Sequence, residues 1–414
     1  MKILIPQLLV LLLIGALQGA QAGPLTDALL QARKFDALFQ QAEPERESNT
    51  AASQAAGAAY YPQFQASFSR LETETSPRQT YTITQPLISV DRFATYREAE
   101  PREALGVATY QLREQELSQR LLKAVTELLR STEAQRLNKA KIAALENQAL
   151  SAKKSFEAGI GTITDQRDAQ VRLDQARADA LMVEAQIDAA QRQFTSMTGE
   201  AAVASLLRLP HAVRAAPLLD LDDYLAKGMQ GNPQLVTAMQ NQRLADLTVS
   251  RSKGSLWPTL SAVYTDSTSN NTNANYIGLS LSLPLQPSSI YQMRGAAANA
   301  IKSQQQTREV EQRTRLEMQR LWSMVHAGRA EIAIRLDSIR SAELSVEAND
   351  KSFKGGVRSQ IDVLNSIQTY YQVQQEYVTA VLTLADNYLN LLLQAATPTN
   401  DAVAQVQTLL FPEQ

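Results

Sequence analysis

The feature that most constrains this chain is that it is written twice. "SFEAGIGTITDQRDAQ" runs from Ser155 to Gln170 and "SFKGGVRSQIDVLNSI" from Ser352 to Ile367, with Ser155/Ser352, Phe156/Phe353, Gly159/Gly356 and Asp165/Asp362 all 197 positions apart. The match continues upstream. "YYPQFQASFSR" (Tyr60–Arg70) corresponds to "LWPTLSAVYTD" (Leu256–Asp266), and "YTITQPLISV" (Tyr81–Val90) to "IGLSLSLPLQP" (Ile277–Pro287). A unit of about 200 residues is too long for a solenoid repeat. The chain must therefore fold as two copies of one substructure.

Proline placement outlines that substructure. None occurs between Pro101 and Pro210, or between Pro287 and Pro398. Both gaps are rich in Ala, Gln, Glu, Arg and Leu, which lose little on entering a helix. Glycines cluster near the middle of each, Gly159 and Gly161 in the first, Gly355 and Gly356 in the second. Each gap thus predicts a long helix, a glycine turn and a shorter returning helix, the first long helix running from about Asp91 to Lys154. The returning helix supplies a packing seam. Leu173, Ala176, Ala180, Val183, Ile187, Ala190, Phe194 and Met197 alternate spacings of three and four, and Tyr370, Tyr377, Leu384 and Leu391 repeat every seven in the second copy. Thr162-Ile-Thr-Asp165 and Ser359-Gln-Ile-Asp362 are S/T-x-x-D capping boxes at the start of each returning helix.

Upstream of each hairpin the period changes to two. Ile277, Leu279, Leu281 and Leu283 alternate with Gly278, Ser280, Ser282 and Pro284; Tyr81, Ile83 and Gln85 alternate with Thr82, Thr84 and Pro86. Apolar on one side and small-polar on the other is also the pattern of a membrane-barrel strand, but taken alone it favours a half-buried strand of a soluble sheet. Loops are expected over Glu72–Gln79 and over the Ser/Thr/Asn-rich stretch Thr265–Tyr276. If the strands meet lipid, four are too few to close a barrel, and several chains must close one together.

The fold class is α+β and mainly α. Residues 1–22 read as a signal peptide: Lys2, an apolar run from Ile3 to Leu17, and an Ala20-Gln21-Ala22 cleavage site before Gly23. Residues 23–199 form the first repeat, with a β-hairpin at about 60–90 and a helical hairpin at about 91–199. A linker follows at 200–220. The second repeat spans 221–396, with its β-hairpin at about 256–287 and helical hairpin at about 288–396, and 397–414 is a C-terminal tail.

Composition excludes several functions. Lys and Arg number 40 against 42 Asp and Glu, which gives no electrostatic case for nucleic acid. Cysteine is absent, so an exported chain has neither disulfides nor a lipidated Cys. The two histidines, His211 and His326, stand alone, and no metal, phosphate or nucleophile motif occurs. No catalytic residue, cofactor or metal site is expected, and an exported enzyme finds no support.

The duplication, "YYPQF" and "LWPTL", "TQPL" at Thr84–Leu87, the paired F-x-x-G turns and "GNPQL" at Gly231–Leu235 together resemble the TolC family of outer-membrane channel-tunnel proteins. The resemblance implies a homotrimer. Long antiparallel helical hairpins would form a periplasmic α-barrel, and four strands per chain would contribute to a 12-stranded transmembrane β-barrel. It implies a passive exit duct in the outer membrane of a Gram-negative bacterium, fed by an inner-membrane ABC transporter or efflux pump through a periplasmic adaptor (membrane fusion protein).

Type I protein secretion is favoured over drug efflux: many efflux ducts of the family begin with a lipidated Cys, and "TQPLISVDRFATYREAE" resembles the secretion branch. By position in the family, Asp165, Arg358 and Asp362 are gate candidates, with Asp165 and Arg358 expected to pair between helices. Gly159, Gly161, Gly355 and Gly356 mark the hairpin tips where an adaptor would dock. Phe353 and Asn365 depart from the family, standing where a Tyr and a second acid can occur. A periplasmic coiled-coil adaptor is the alternative from another class, although adaptors usually carry one hairpin in a β-rich domain.

Overall fold

The computed structural model describes residues 23–70, 77–209, 217–269, 272–284 and 286–411. The expected signal peptide and His211 lie outside them. Two helices, α1 (Pro24–Phe35) and α2 (Ala42–Gly57), lead into strands β1 (Gln63–Ser69) and β2 (Arg78–Ile88). Then come α3 (Val90–Arg97), α4 (Ala99–Glu157) and α5 (Ile163–Thr198). The second copy repeats this order with α6 (Leu221–Gly231), α7 (Pro233–Gly254), β3 (Thr259–Ser269), β4 (Thr272–Ser282), α8 (Pro287–Lys354) and α9 (Gln360–Gln394). A last helix, α10, spans Thr399–Leu410.

The duplication is exact to the residue where it matters most. Gly57 and Gly254 end α2 and α7; Val90 and Pro287 begin the long helices; Glu157 and Lys354 end them. Each of these pairs is 197 apart. At 68 residues α8 spans about 100 Å. Its counterpart, predicted as one helix from about Asp91 to Lys154, is broken once, at Glu98. Pro101 explains it. Proline has no N–H to give to the Arg97 carbonyl, so it is tolerated only in the first turn of a new helix. The joint is tied by charge: the buried Glu98 carboxylate takes Arg102 at 2.7 Å and Arg251 of α7 at 3.2 Å.

Each long helix packs on the returning helix that follows it, and α9 also packs on α4. The main core lies midway along the hairpins. There α1 and α10 contribute Leu25, Leu29, Val406 and Leu410 to a cluster with Leu121 and Val125 of α4, Phe194 of α5, Leu321 of α8 and Tyr388 of α9. The expected C-terminal tail is therefore a packed helix over 399–410, because Val403, Val406 and Leu410 repeat at helical spacing and find this core. A smaller cluster near the turns unites both hairpins through Leu145, Ala152, Ala169, Leu173, Val363, Leu364 and Ile367.

The strands form one antiparallel meander in the order β1-β2-β3-β4. The β2–β3 pairing joins the two copies, with Ile83 opposite Tyr264 and a register shift at Pro86, which cannot donate to the ladder. The Thr265–Tyr276 segment is not the long loop expected: Thr265 pairs with Tyr276 and the ladder continues to Ser269 and Thr272. Its Thr and Ser alternate as readily in a ladder as in a loop. Arg78 and Gln79 likewise belong to β2, and 71–76 lie outside the described residues.

Candidate functional site

Two ends of the molecule carry unsatisfied surface. At one end is the sheet. Residues opposite each other in an antiparallel ladder share a face. The pairings Phe64–Ile83, Ile83–Tyr264 and Tyr264–Ile277 run an apolar row across all four strands. Ala66–Tyr81, Ala262–Leu279 and Leu260–Leu281 extend it. The other face carries Gln65, Ser67, Thr80, Thr82, Thr84, Ser261, Ser267, Ser280 and Ser282. Thr80 and Ser267 share a hydroxyl hydrogen bond there at 3.1 Å.

Among the described residues, nothing from the same chain covers the apolar face. Ile277 is 83% exposed, and Leu279 and Leu281 each 71%. This corrects the soluble half-buried sheet: no helix among the described residues packs on these side chains. The backbone groups of β1 and β4 that point away from the sheet also lack a strand partner among the described residues. An oily face, a hydroxyl-lined face and two open edges are what one segment of a membrane barrel presents.

At the other end are the two helical turns. They are built alike, bond for bond. Gly159 N–H donates to Phe156 O at 3.0 Å and Gly356 N–H to Phe353 O at 2.9 Å; Ile160 and Val357 N–H groups close on Ser155 O and Ser352 O. Gly159 and Gly356 both sit at φ +75°, where a Cβ would be strained. Gly161 and Gly355 do not need positive φ. Gly161 instead lies against Ser155, where a Cβ would come within 3.0 Å.

Both capping boxes form. Thr162 Oγ1 accepts from Asp165 N–H at 3.1 Å and Asp165 Oδ2 accepts from Thr162 N–H at 3.2 Å. Asp362 Oδ2 accepts from Ser359 N–H at 3.1 Å and Ser359 Oγ at 2.7 Å. These Ser359 hydrogen bonds, helped by the Arg358 charge, hold the Asp362 carboxyl below the usual range. At the tips the turns expose apolar side chains, Ile160 at 83% and Val357 at 81%.

The structure places Asp165, Arg358 and Asp362 together at this end of the molecule. Within one chain, however, Asp165 and Arg358 form no ion pair among the described residues: each Asp is occupied by its own cap. Phe353 packs against the small cluster near the turns. His326, on α8, is exposed and stacks obliquely on Trp322 at 5.2 Å. A link the sequence did not disclose joins the two hairpins. Arg172 of α5 donates to Gln368 Oε1 at 2.5 Å and to Asn365 Oδ1 at 2.8 Å, both on α9. Its partners lie nearly two hundred residues away, so no local signal could have found it.

Comparison with known proteins agrees with this architecture. The family model described as outer membrane efflux protein matches residues 28–200 and 226–396, one stretch in each copy. The proteases secretion protein PrtF of Dickeya chrysanthemi is 26% identical over 335 residues, covering 77% of this chain and 72% of that protein. The alkaline protease secretion protein AprF of Pseudomonas aeruginosa is 27% identical over 312 residues, covering 72% of this chain and 65% of its own length. In three dimensions the outer membrane protein VceC of Vibrio cholerae superposes with a TM-score of 0.76 at 18% identity, over 90% of this chain and 96% of that one. Oily sheet, twin hairpins and family model coincide over most of its length: this chain belongs to the outer membrane efflux protein family.

Proposed function

We propose that the chain is one protomer of a trimeric exit duct for type I protein secretion. Four strands from each of three chains would close a 12-stranded barrel in the outer membrane. The helical hairpins would continue it as a tunnel across the periplasm. The observation that carries this reading is the sheet, whose apolar face and two edges are left for lipid and sister chains to complete. Likeness to two protease secretion proteins supports secretion. An inner-membrane ABC transporter would supply the energy and a periplasmic adaptor would dock on the turns at Gly159, Gly161, Gly355 and Gly356, where Ile160 and Val357 offer apolar anchors. Asp165, Arg358 and Asp362 would act at the entrance, with Arg358 free to reach an Asp165 of a neighbouring protomer. The family's own description favours a second reading, small-molecule efflux through the same duct.

The test is reconstitution. Protein extracted from outer membranes should run as a trimer and open discrete ion-conducting pores in planar bilayers. A monomer without pore activity would refute the duct. Secretion of a protease by cells lacking their own duct, restored by this chain with a cognate transporter and adaptor, separates secretion from efflux.

A further inference from the structure

The sheet's apolar surface does not stop where the strands stop. Ile88 stands opposite Leu260 and carries the oily face to the foot of β2. Just beyond, Tyr61, Trp257, Phe93 and Tyr96 are all half exposed or more. Aromatic rings at the end of an apolar barrel surface belong to the layer where headgroups replace acyl chains. Arg97 lies one turn past Phe93, about 6 Å along the helix. That falls within the roughly 5–8 Å that headgroups occupy beside the hydrocarbon core.

An open cavity of about 460 Å³ lies at this level between α3, the start of α4 and α7, and its lining includes Tyr96, Arg97, Glu100, Arg243 and Asp246. Two of these four charged groups satisfy each other, Arg243 donating to Glu100 at 3.1 Å. The other two do not. The Arg97 guanidinium lies over the Phe93 ring, 6.0 Å from its centre. Asp246 gives Ser250 Oγ its backbone carbonyl at 3.2 Å, and its carboxylate has no ion pair among the described residues. A cation and an anion thus face one cavity without meeting.

The duplication shows that the helices do not need this arrangement. Arg97 and Arg243 have arginines at the matching positions, Arg294 and Arg46, whereas Glu100 and Asp246 correspond to Ala297 and Asn49. The acids belong to this cavity alone. Nor is Arg97 explained as a cation closing the C-terminus of α3. Arg294 is the eighth residue of α8, far from any C-terminus, and it too lies over an aromatic ring, that of Tyr291 at 6.0 Å.

We propose that the cavity binds a zwitterionic phospholipid of the periplasmic leaflet, one whose headgroup joins a phosphate to a primary ammonium. The Arg97 guanidinium donates to the phosphate oxygens, and the Asp246 carboxylate accepts from the ammonium. The acyl chains then run past Phe93 and Tyr96 toward Ile88. A purely anionic headgroup satisfies Arg97 but leaves Asp246 facing like charge. Because the cavity lies between helices of one chain, closing the sheet at β1 and β4 leaves it open. The inference needs the outer-membrane setting and not the identity of what the duct carries.

Native mass spectrometry of the full-length protein in detergent, titrated with equimolar phosphatidylethanolamine and phosphatidylglycerol, tests it. The wild type should retain phosphatidylethanolamine in preference. Asp246→Asn should cut that preference by about fivefold, the upper reach of one exposed ion pair, and Arg97→Gln should lower the amount of phosphatidylethanolamine retained. Asp246→Arg should turn the preference toward phosphatidylglycerol, a gain that misfolding cannot imitate. Arg294→Gln, at the matching position without acids, should leave the preference as it is. Equal retention of the two lipids by the wild type, or a preference that survives both Asp246→Asn and Asp246→Arg, would overturn the site. Pore recordings on the same preparations report on the duct separately, so loss of the lipid site leaves that reading standing.

Discussion

At the scale of single residues, two carboxylates on the same core respond to burial in opposite ways. Asp36 resists desolvation because Arg120 grips it with two hydrogen bonds of 2.9 Å and Phe39 N–H adds a third at 2.7 Å. Burial raises its pKa, but these donors outweigh that and hold the carboxyl below its usual range. Asp386, on α9, has no such clamp. Burial pushes it up to about 6, and the charges of Arg130 and Lys123 on α4 only partly offset this. A folded pKa above the unfolded one means that the folded chain holds the proton more tightly. Stability is then greatest below the ordinary Asp range, falls as pH rises from about 4 to about 6, and stays at the lower level above that. Asp386→Asn should abolish this fall, raising stability at pH 7.5 by on the order of 1–2 kcal/mol and by nothing at pH 4. Thermal dissociation of the two proteins across that range is the measurement; equal gains at both pH values would contradict the assignment.

At the scale of elements, the sheet divides its substitutions by parity. Leu279 and Ser280 are neighbours on β4, yet they face opposite solvents. Leu279→Arg puts a charge on the face assigned to hydrocarbon, which costs about 2–4 kcal/mol near the bilayer midplane. Ser280→Arg puts the same charge in the aqueous interior. The first should abolish assembly into the outer membrane, judged by the fraction of protein resisting extraction from membrane pellets. The second should assemble normally and shift the pore toward anions, read from the reversal potential. The same parity explains what could be read before the structure was known. The helical hairpins were legible because Gly159, Gly356 and the S/T-x-x-D caps are local signals with one dominant conformational meaning. The side of β4 that meets lipid was not, since a soluble sheet and a barrel wall alternate identically; it is the exposure of Ile277, Leu279 and Leu281 that distinguishes them. The full length of β3 and β4 was hidden in a Ser, Thr and Asn run that composition assigns to loops. The Glu98 break needed Pro101 to be weighed against a pattern that otherwise continues, and the Arg172 fork needed two distant helices to be brought side by side.

At the scale of the whole molecule, one chain is an arc. The β1 and β4 edges cannot remain unpaired in a bilayer, where each unsatisfied backbone group costs several kcal/mol. Pairing β1 with the chain's own β4 would curl four strands into a tube too narrow to hold their side chains. The solution that remains for the proposed duct would join β4 of one copy to β1 of the next, a head-to-tail interface that closes when rotation returns to the start. In the proposed trimer, three copies of four strands would give twelve, enclosing an aqueous interior lined by Ser, Thr and Gln. The helices follow, since α2 and α8 flank the arc as β1 and β4 do. The edge pairing can be read directly in a chain free of native thiols. Gln65→Cys on β1, combined in turn with Gly278→Cys, Ser280→Cys or Ser282→Cys on β4, places two interior-facing thiols across the expected seam. One of these pairs should match the register and, on oxidation in intact membranes, give covalent dimers and trimers and nothing larger. A ladder that stopped at dimers would indicate a closed two-chain barrel, one that ran past trimers would indicate a larger ring, and a panel without any cross-link would refute the head-to-tail seam.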